Sequence, residues 1–134
     1  MATYQVEIIH TTINRPWRDV YDFACRPQNM AHWAAGLAAG LRQEGDEWIG
    51  GGGPLGDVRV RFAPTNGFGV IDHDVILPDG VTVHNALRVV PNGDGSEVMF
   101  TLVRQPDMDD AAFEADAAAI RRDLETLKAQ MEEK

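Results

Sequence analysis

The feature of this chain that most constrains its fold is one long amphipathic helix preceded by strands that turn residues separate. The helix is predicted over Asp109 to Lys134, with Asp109 or Asp110 as its N-cap and a length of about 40 Å. Its apolar residues form one stripe at helical spacing: Phe113, Ala117, Ile120, Leu124, Leu127 and Met131. We therefore expect an α+β fold in which a curved antiparallel sheet grips the helix and leaves a hollow between the two layers.

The strands are predicted from alternation and from turn signals. Tyr4 to Ile13 alternates apolar and polar residues and indicates an opening strand, after which two short helices meet near Cys25 to Pro27. Four turn signals then divide the middle of the chain into a meander: Glu44-Gly45-Asp46, Asn66-Gly67, Pro78-Asp79-Gly80 and Pro91 to Gly95.

Two of these turns predict strand registers. A two-residue turn at Asn66-Gly67 pairs Thr65 with Phe68, and the later partners follow from that pair. The pairs predicted on the solvated face are Arg61 with Asp72 and Arg59 with Asp74. The pairs predicted on the inner face are Phe62 with Ile71, Val60 with His73 and Val58 with Val75.

The loop at Pro78-Asp79-Gly80 decides which polar residues face inward on the following strand. A three-residue loop, which we favour, pairs Leu77 with Val81 and places Asn85 opposite His73, with His84 and Arg88 outside. A two-residue loop would turn His84 and Arg88 inward instead. The last strand, 97–104, cannot be registered from its loop, and its hydrophobic residues Val98, Phe100 and Leu102 are placed inward.

Composition limits the classes of function. The 134 residues, 44% of them hydrophobic, suffice for one core, so a single domain over 1–134 is expected. A formal net charge of −9 makes a nucleic-acid partner unfavourable. Cys25 is the sole cysteine, which excludes an intramolecular disulfide, and no apolar run is long enough to span a membrane. We expect a cytoplasmic protein without membrane insertion.

The polar pair His73 and Asn85 is the best candidate for a binding spot inside the hollow. An imidazole and a carboxamide can orient a hydroxyl or carbonyl group of an otherwise apolar ligand, although a pair satisfied within the core is the structural alternative. Trp33, Trp48, Phe62 and Phe100 are candidate wall residues. The four histidines lack metal-ligand spacing, so neither a metal site nor a cofactor is predicted. Gly50 to Gly53 lacks the residues of a phosphate-binding loop and is interpreted as a mobile rim or lid.

Motifs near the N-terminus resemble those of the SRPBCC superfamily, which includes START domains and polyketide cyclases and dehydrases. They are the segment Ile13 to Phe23, with Pro16, Val20 and Phe23, and the second helix that begins Pro27-Gln28-Asn29-Met30 and ends in Trp33. The order of elements is similar over nearly the whole chain. The resemblance implies a helix-grip fold with a cavity for hydrophobic molecules, and it carries no family-wide catalytic residue.

Together these arguments predict a set of ligand-binding residues: Trp33, Trp48, Val60, Phe62, Ile71, His73, Asn85, Leu87, Phe100, Phe113, Ile120 and Leu124. The leading hypothesis is a protein that binds a small hydrophobic molecule, lipid-, polyketide- or aromatic-like. A second is a cyclase or dehydratase in which His73 exchanges protons while Asn85 holds a carbonyl oxygen. A third is a protein-interaction domain whose cavity is filled by side chains. Homodimerisation through the helix or an edge strand is compatible with the sequence.

Overall fold

The computed structural model describes residues 2–37, 40–53 and 56–134. Its seven strands are β1 (Val6–Ile13), β2 (Leu41–Glu44), β3 (Glu47–Gly53), β4 (Gly56–Phe62), β5 (His73–Ile76), β6 (Thr82–Asn92) and β7 (Gly95–Val103). Its helices are α1 (Trp17–Ala24), α2 (Met30–Trp33) and α3 (Asp110–Glu132), with short 3-10 turns at Pro27–Asn29 and Ala35–Leu37.

The strands form one antiparallel sheet in the order β1-β7-β6-β5-β4-β3-β2. From β2 to β7 each strand pairs with the next one in the chain, and β1 closes the order beside β7. Helix α3 packs against β1 and β7, and α2 lies against α3. The predicted fold, a long C-terminal helix on an antiparallel sheet with two short helices after the first strand, is confirmed.

Helix α3 is held at both ends. At its start Asp109 is the N-cap and accepts a hydrogen bond of 2.8 Å from the Ala112 N–H, while the Arg104 guanidinium binds the Met108 carbonyl and lies over the Phe113 ring. At its end the Arg15 guanidinium donates to the Met131 carbonyl at 2.8 Å. The apolar stripe faces the sheet, and Phe113, Ala117, Leu124, Leu127 and Met131 are buried.

The register of β5 against β6 agrees with the three-residue loop. The Leu77 N–H donates to the Val81 carbonyl at 2.9 Å, and Gly80 has φ +91°. His73 therefore pairs with Asn85, and His84 lies opposite Asp74 on the outer face, where their side chains are 2.7 Å apart. Arg88 also lies outside and binds Asp72 at 2.8 Å. On the last strand, Val98 and Leu102 are buried and Phe100 is half-buried, as predicted.

The predicted register of β4 against β5 is wrong by two residues. Phe62 pairs with His73 and Val60 with Val75, because β4 ends at Phe62 and the segment before β5 pairs with β6 instead. The Val89 N–H donates to the Gly69 carbonyl and the Ile71 N–H to the Leu87 carbonyl, at 2.9 and 2.8 Å. Since strand side chains alternate with a period of two, the same residues still face inward.

Two other expectations need correction. The predicted ion pairs Arg61 with Asp72 and Arg59 with Asp74 do not form. In the observed register, which is shifted by two residues, both guanidinium groups contact Glu47 of β3, Arg61 at 3.3 Å and Arg59 at 3.0 Å. The segment Gly50 to Gly53, interpreted as a loop, belongs to β3, where its pairing with β4 is irregular. Pro54 and Leu55, which follow it, lie outside the described residues.

Candidate functional site

A cavity with a volume of about 890 Å³ lies between the sheet and α3 and is partly open to solvent. Its wall is mainly apolar and is built from β4 to β7 on one side, from α2, and from the stretch of α3 between Ala112 and Leu124. Eight of the predicted binding residues line it: Trp33, Val60, His73, Asn85, Leu87, Phe100, Ile120 and Leu124. The structure thus brings most of the predicted set around one space.

The remaining four predicted residues lie outside this wall. Ile71 and Phe113 are 3% exposed and belong to the packed core. Phe62 stands beside His73, with ring centroids 5.5 Å apart and the planes tilted by 39°. Trp48 is half-buried and pairs with Val60 across β3 and β4. These four residues therefore lie in the core or beside the cavity and do not form its wall.

His73 and Asn85 form the polar spot of the sheet wall. The Nδ1 atom of His73 lies 3.0 Å from the Ile71 carbonyl oxygen, and its Nε2 atom lies 3.4 Å from Asn85 Nδ2. Only a neutral ring with its proton on Nδ1 satisfies both contacts, since Nδ1 then donates and Nε2 accepts. Burial lowers the pKa of His73 and favours this neutral form.

Two carboxyl groups on α3 add to the polar part of the wall, and they were not among the residues predicted from the sequence. Asp116 and Asp123 are half-buried and line the cavity, and burial raises the pKa of both. One Asp123 oxygen accepts a hydrogen bond of 3.2 Å from the Ala35 N–H. A helical projection contains a signal for them, since each lies three or four residues from the inward residue Ile120.

No family model matches the sequence, and no curated protein matches it. Solved structures are similar over nearly the whole chain. The protein XoxI from Bacillus cereus is 13% identical with a TM-score of 0.73, and the match covers 97% of this chain and 96% of that one. The Aha1 dimer from Colwellia psychrerythraea is 10% identical with a TM-score of 0.74 and 96% coverage of both chains.

A third similar structure is that of Ara h 8.0201, which is 9% identical with a TM-score of 0.66, and the match covers 97% of this chain and 99% of that one. At these identities the likeness shows the fold alone, and that fold is a helix-grip fold. Among the helices of the described ranges, none has the length and apolar character needed to cross a membrane.

Proposed function

We propose that this protein binds a small, mostly hydrophobic molecule, lipid-, polyketide- or aromatic-like, in the cavity between the sheet and α3. The observation that carries the proposal is an open space of about 890 Å³ with an apolar wall and few polar groups. Ligand sites in proteins are typically concave, of roughly 300–1,000 Å³, and lined by apolar residues with a small number of orienting polar groups. His73 and Asn85 supply such groups on the sheet side.

The open volume also distinguishes this proposal from the protein-interaction alternative. That hypothesis expects side chains to fill the cavity, whereas Val75, Val83 and Ile120 are half-buried and border free space. Apolar side chains that face such a space gain contacts when a ligand of similar character enters it. A bound apolar molecule therefore accounts for this wall better than a filled core does.

The test is a titration with Nile red, a neutral dye that fluoresces in apolar surroundings. Ala119 lies on α3 and lines the cavity, so the variant Ala119→Phe places an aromatic ring in the dye's space. Ala129 is exposed on the same helix, and Ala129→Phe is the matched control. Circular dichroism checks that both variants keep their helix content.

We expect saturable binding of one dye per chain to the unmodified protein and to Ala129→Phe, and at least tenfold weaker binding to Ala119→Phe. Equal binding by both variants would place the dye elsewhere and refute the cavity as its site. Native mass spectrometry of the gently purified protein gives an independent reading, since an apolar adduct that is lost on denaturation identifies the ligand class.

A second candidate function is acid–base catalysis on an enolisable substrate, as in a cyclase or dehydratase. Such chemistry commonly uses two titratable groups, and the cavity wall contains Asp116 in addition to His73. A suitable test is deuterium uptake by 2-tetralone, a bicyclic enolisable ketone, measured in heavy water by mass spectrometry. Deuterium uptake that the unmodified protein catalyses and His73→Gln does not would support the enzyme hypothesis. Equal uptake rates with the two proteins would exclude His73 as the base.

A further inference from the structure

The charged groups of the cavity wall have one sign. Asp79, Asp107, Asp116 and Asp123 line the cavity, and among the described lining residues there is no lysine or arginine. His73 is the basic side chain of this wall, and its neutral ring already donates to a backbone carbonyl. A ligand with a carboxylate or phosphate group would meet only like charges here, which is unfavourable in surroundings of low polarity.

Asp116 is the carboxyl group with the greatest need of a partner. It is half-buried on α3, and within the described part of the chain its oxygens make no hydrogen bond or ion pair. Asp123, about two helical turns further on, has the Ala35 N–H as a donor. A partly desolvated carboxylate is stabilised most by a cation that also donates hydrogen bonds, because such bonds are about twice as strong as neutral ones.

Trp33 contributes a further unpaired polar group to the packing beside this wall. It is 6% exposed and lines the cavity, and its indole Nε1–H has no acceptor among the described residues. Buried indole N–H groups usually have a partner. The Nε1 atom itself is inaccessible and does not face the open space of the cavity, so Trp33 does not select the headgroup of a ligand.

We propose that the ligand of this cavity is a mostly apolar molecule that carries a protonated amine, and that Asp116 binds the ammonium group. The inference rests on the proposed function and narrows it to one headgroup chemistry. The net charge of −9 acts in the same direction at longer range, since it attracts cations and repels anionic amphiphiles.

Three probes with the same apolar chain separate the headgroup from the chain: decylamine, decanol and decanoate. Each competes with Nile red at neutral pH and below its micelle concentration, and native mass spectrometry confirms one probe per chain. We expect decylamine to bind about tenfold or more tightly than decanol, and decanoate to bind more weakly than decanol. This comparison uses the unmodified protein and depends on no variant.

The variant Asp116→Asn keeps the side-chain shape and removes the charge. It is expected to weaken decylamine binding about tenfold while decanol binding changes less than twofold. The control is Asp94→Asn, which removes the same charge from the exposed turn between β6 and β7 and leaves the order of the three probes unchanged.

The outcomes separate the two proposals. Two outcomes would overturn the amine assignment and leave the cavity as a binding site for apolar molecules. In the first, decanol binds and decanoate binds as tightly as decylamine. In the second, the preference for decylamine is retained in Asp116→Asn. Failure of all three probes and of Nile red to bind overturns both proposals.

Discussion

The phenolic oxygen of Tyr21 accepts a hydrogen bond of 2.9 Å from the backbone N–H of Asn66, which ties α1 to the loop between β4 and β5. Tyr21 is 3% exposed, and replacing it with phenylalanine leaves this N–H without its acceptor. We expect Tyr21→Phe to lower the free energy of unfolding by about 1–3 kcal/mol. Urea denaturation measures the change, and Tyr4→Phe, at a position 49% exposed, is the control expected to have no effect.

The same loop contains two glycines that are expected to respond very differently to alanine. Gly69 has φ +73°, and an added Cβ would collide with the Val89 carbonyl oxygen, whereas a Cβ on Gly67 meets open space. Gly69→Ala should destabilise the protein by at least about 2 kcal/mol. Gly67→Ala should be neutral or stabilising by less than about 1 kcal/mol. Similar denaturation midpoints for the two variants would contradict this assignment of the turn.

Truncating two side chains of α3 to alanine, one at a time, tests which part of the helix is packed and which part borders free space. Leu127 is fully buried, so Leu127→Ala is expected to cost about 2–5 kcal/mol of stability. Ile120 is half-buried at the cavity, and Ile120→Ala removes atoms that already lie beside open volume. Its cost should stay below about 2 kcal/mol. Equal losses in thermal or urea denaturation would show that the cavity is closed in solution.

The pH dependence of stability tests the buried state of His73. Because burial lowers its pKa in the folded protein, the unfolded chain binds a proton here at a higher pH than the folded protein does. Stability should therefore fall as the pH drops below about 6.5, and this loss is complete below the lowered pKa. His73→Gln should remove this component, as seen by urea denaturation over a pH series. Superimposable curves for the two proteins would contradict a buried neutral ring.

Local chemistry decided the parts of the fold that the sequence predicts correctly. The loop at Pro78-Asp79-Gly80 was predictable because a proline, an aspartate and a left-handed glycine act within a few residues of one another. The stripe on α3 was predictable because the helical period is fixed, and Asp109 caps the helix through its own side chain. These features depend on few distant contacts.

The register at Asn66-Gly67 was predicted incorrectly because it depends on contacts with residues that are distant in sequence. The dipeptide is compatible with a tight hairpin, yet the Asn66 side chain accepts from the Phe68 and Val70 N–H groups and organises a wider loop. Tyr21 and β6, distant in sequence, complete that loop. Asp116 and Asp123 were missed for a related reason. They lie at the edge of the apolar stripe of α3, and the volume of side chains on other strands decides whether such an edge position contacts a neighbour or faces free space.

Helix α3 is packed against the rest of the protein at both ends, whereas its middle turns border the cavity. Phe113, with Arg104 against its ring, holds the first end, and the buried Leu127 and Met131 hold the second. The turns around Asp116 and Ile120 lie over the cavity. We expect molecules of different size to be accommodated by small displacements of these middle turns, while both ends of the helix keep their contacts with the sheet. Amide hydrogen exchange should show lower protection for residues 116–120 than for the packed segment 124–131, and equal protection of the two segments would show instead that the helix is rigid over the cavity.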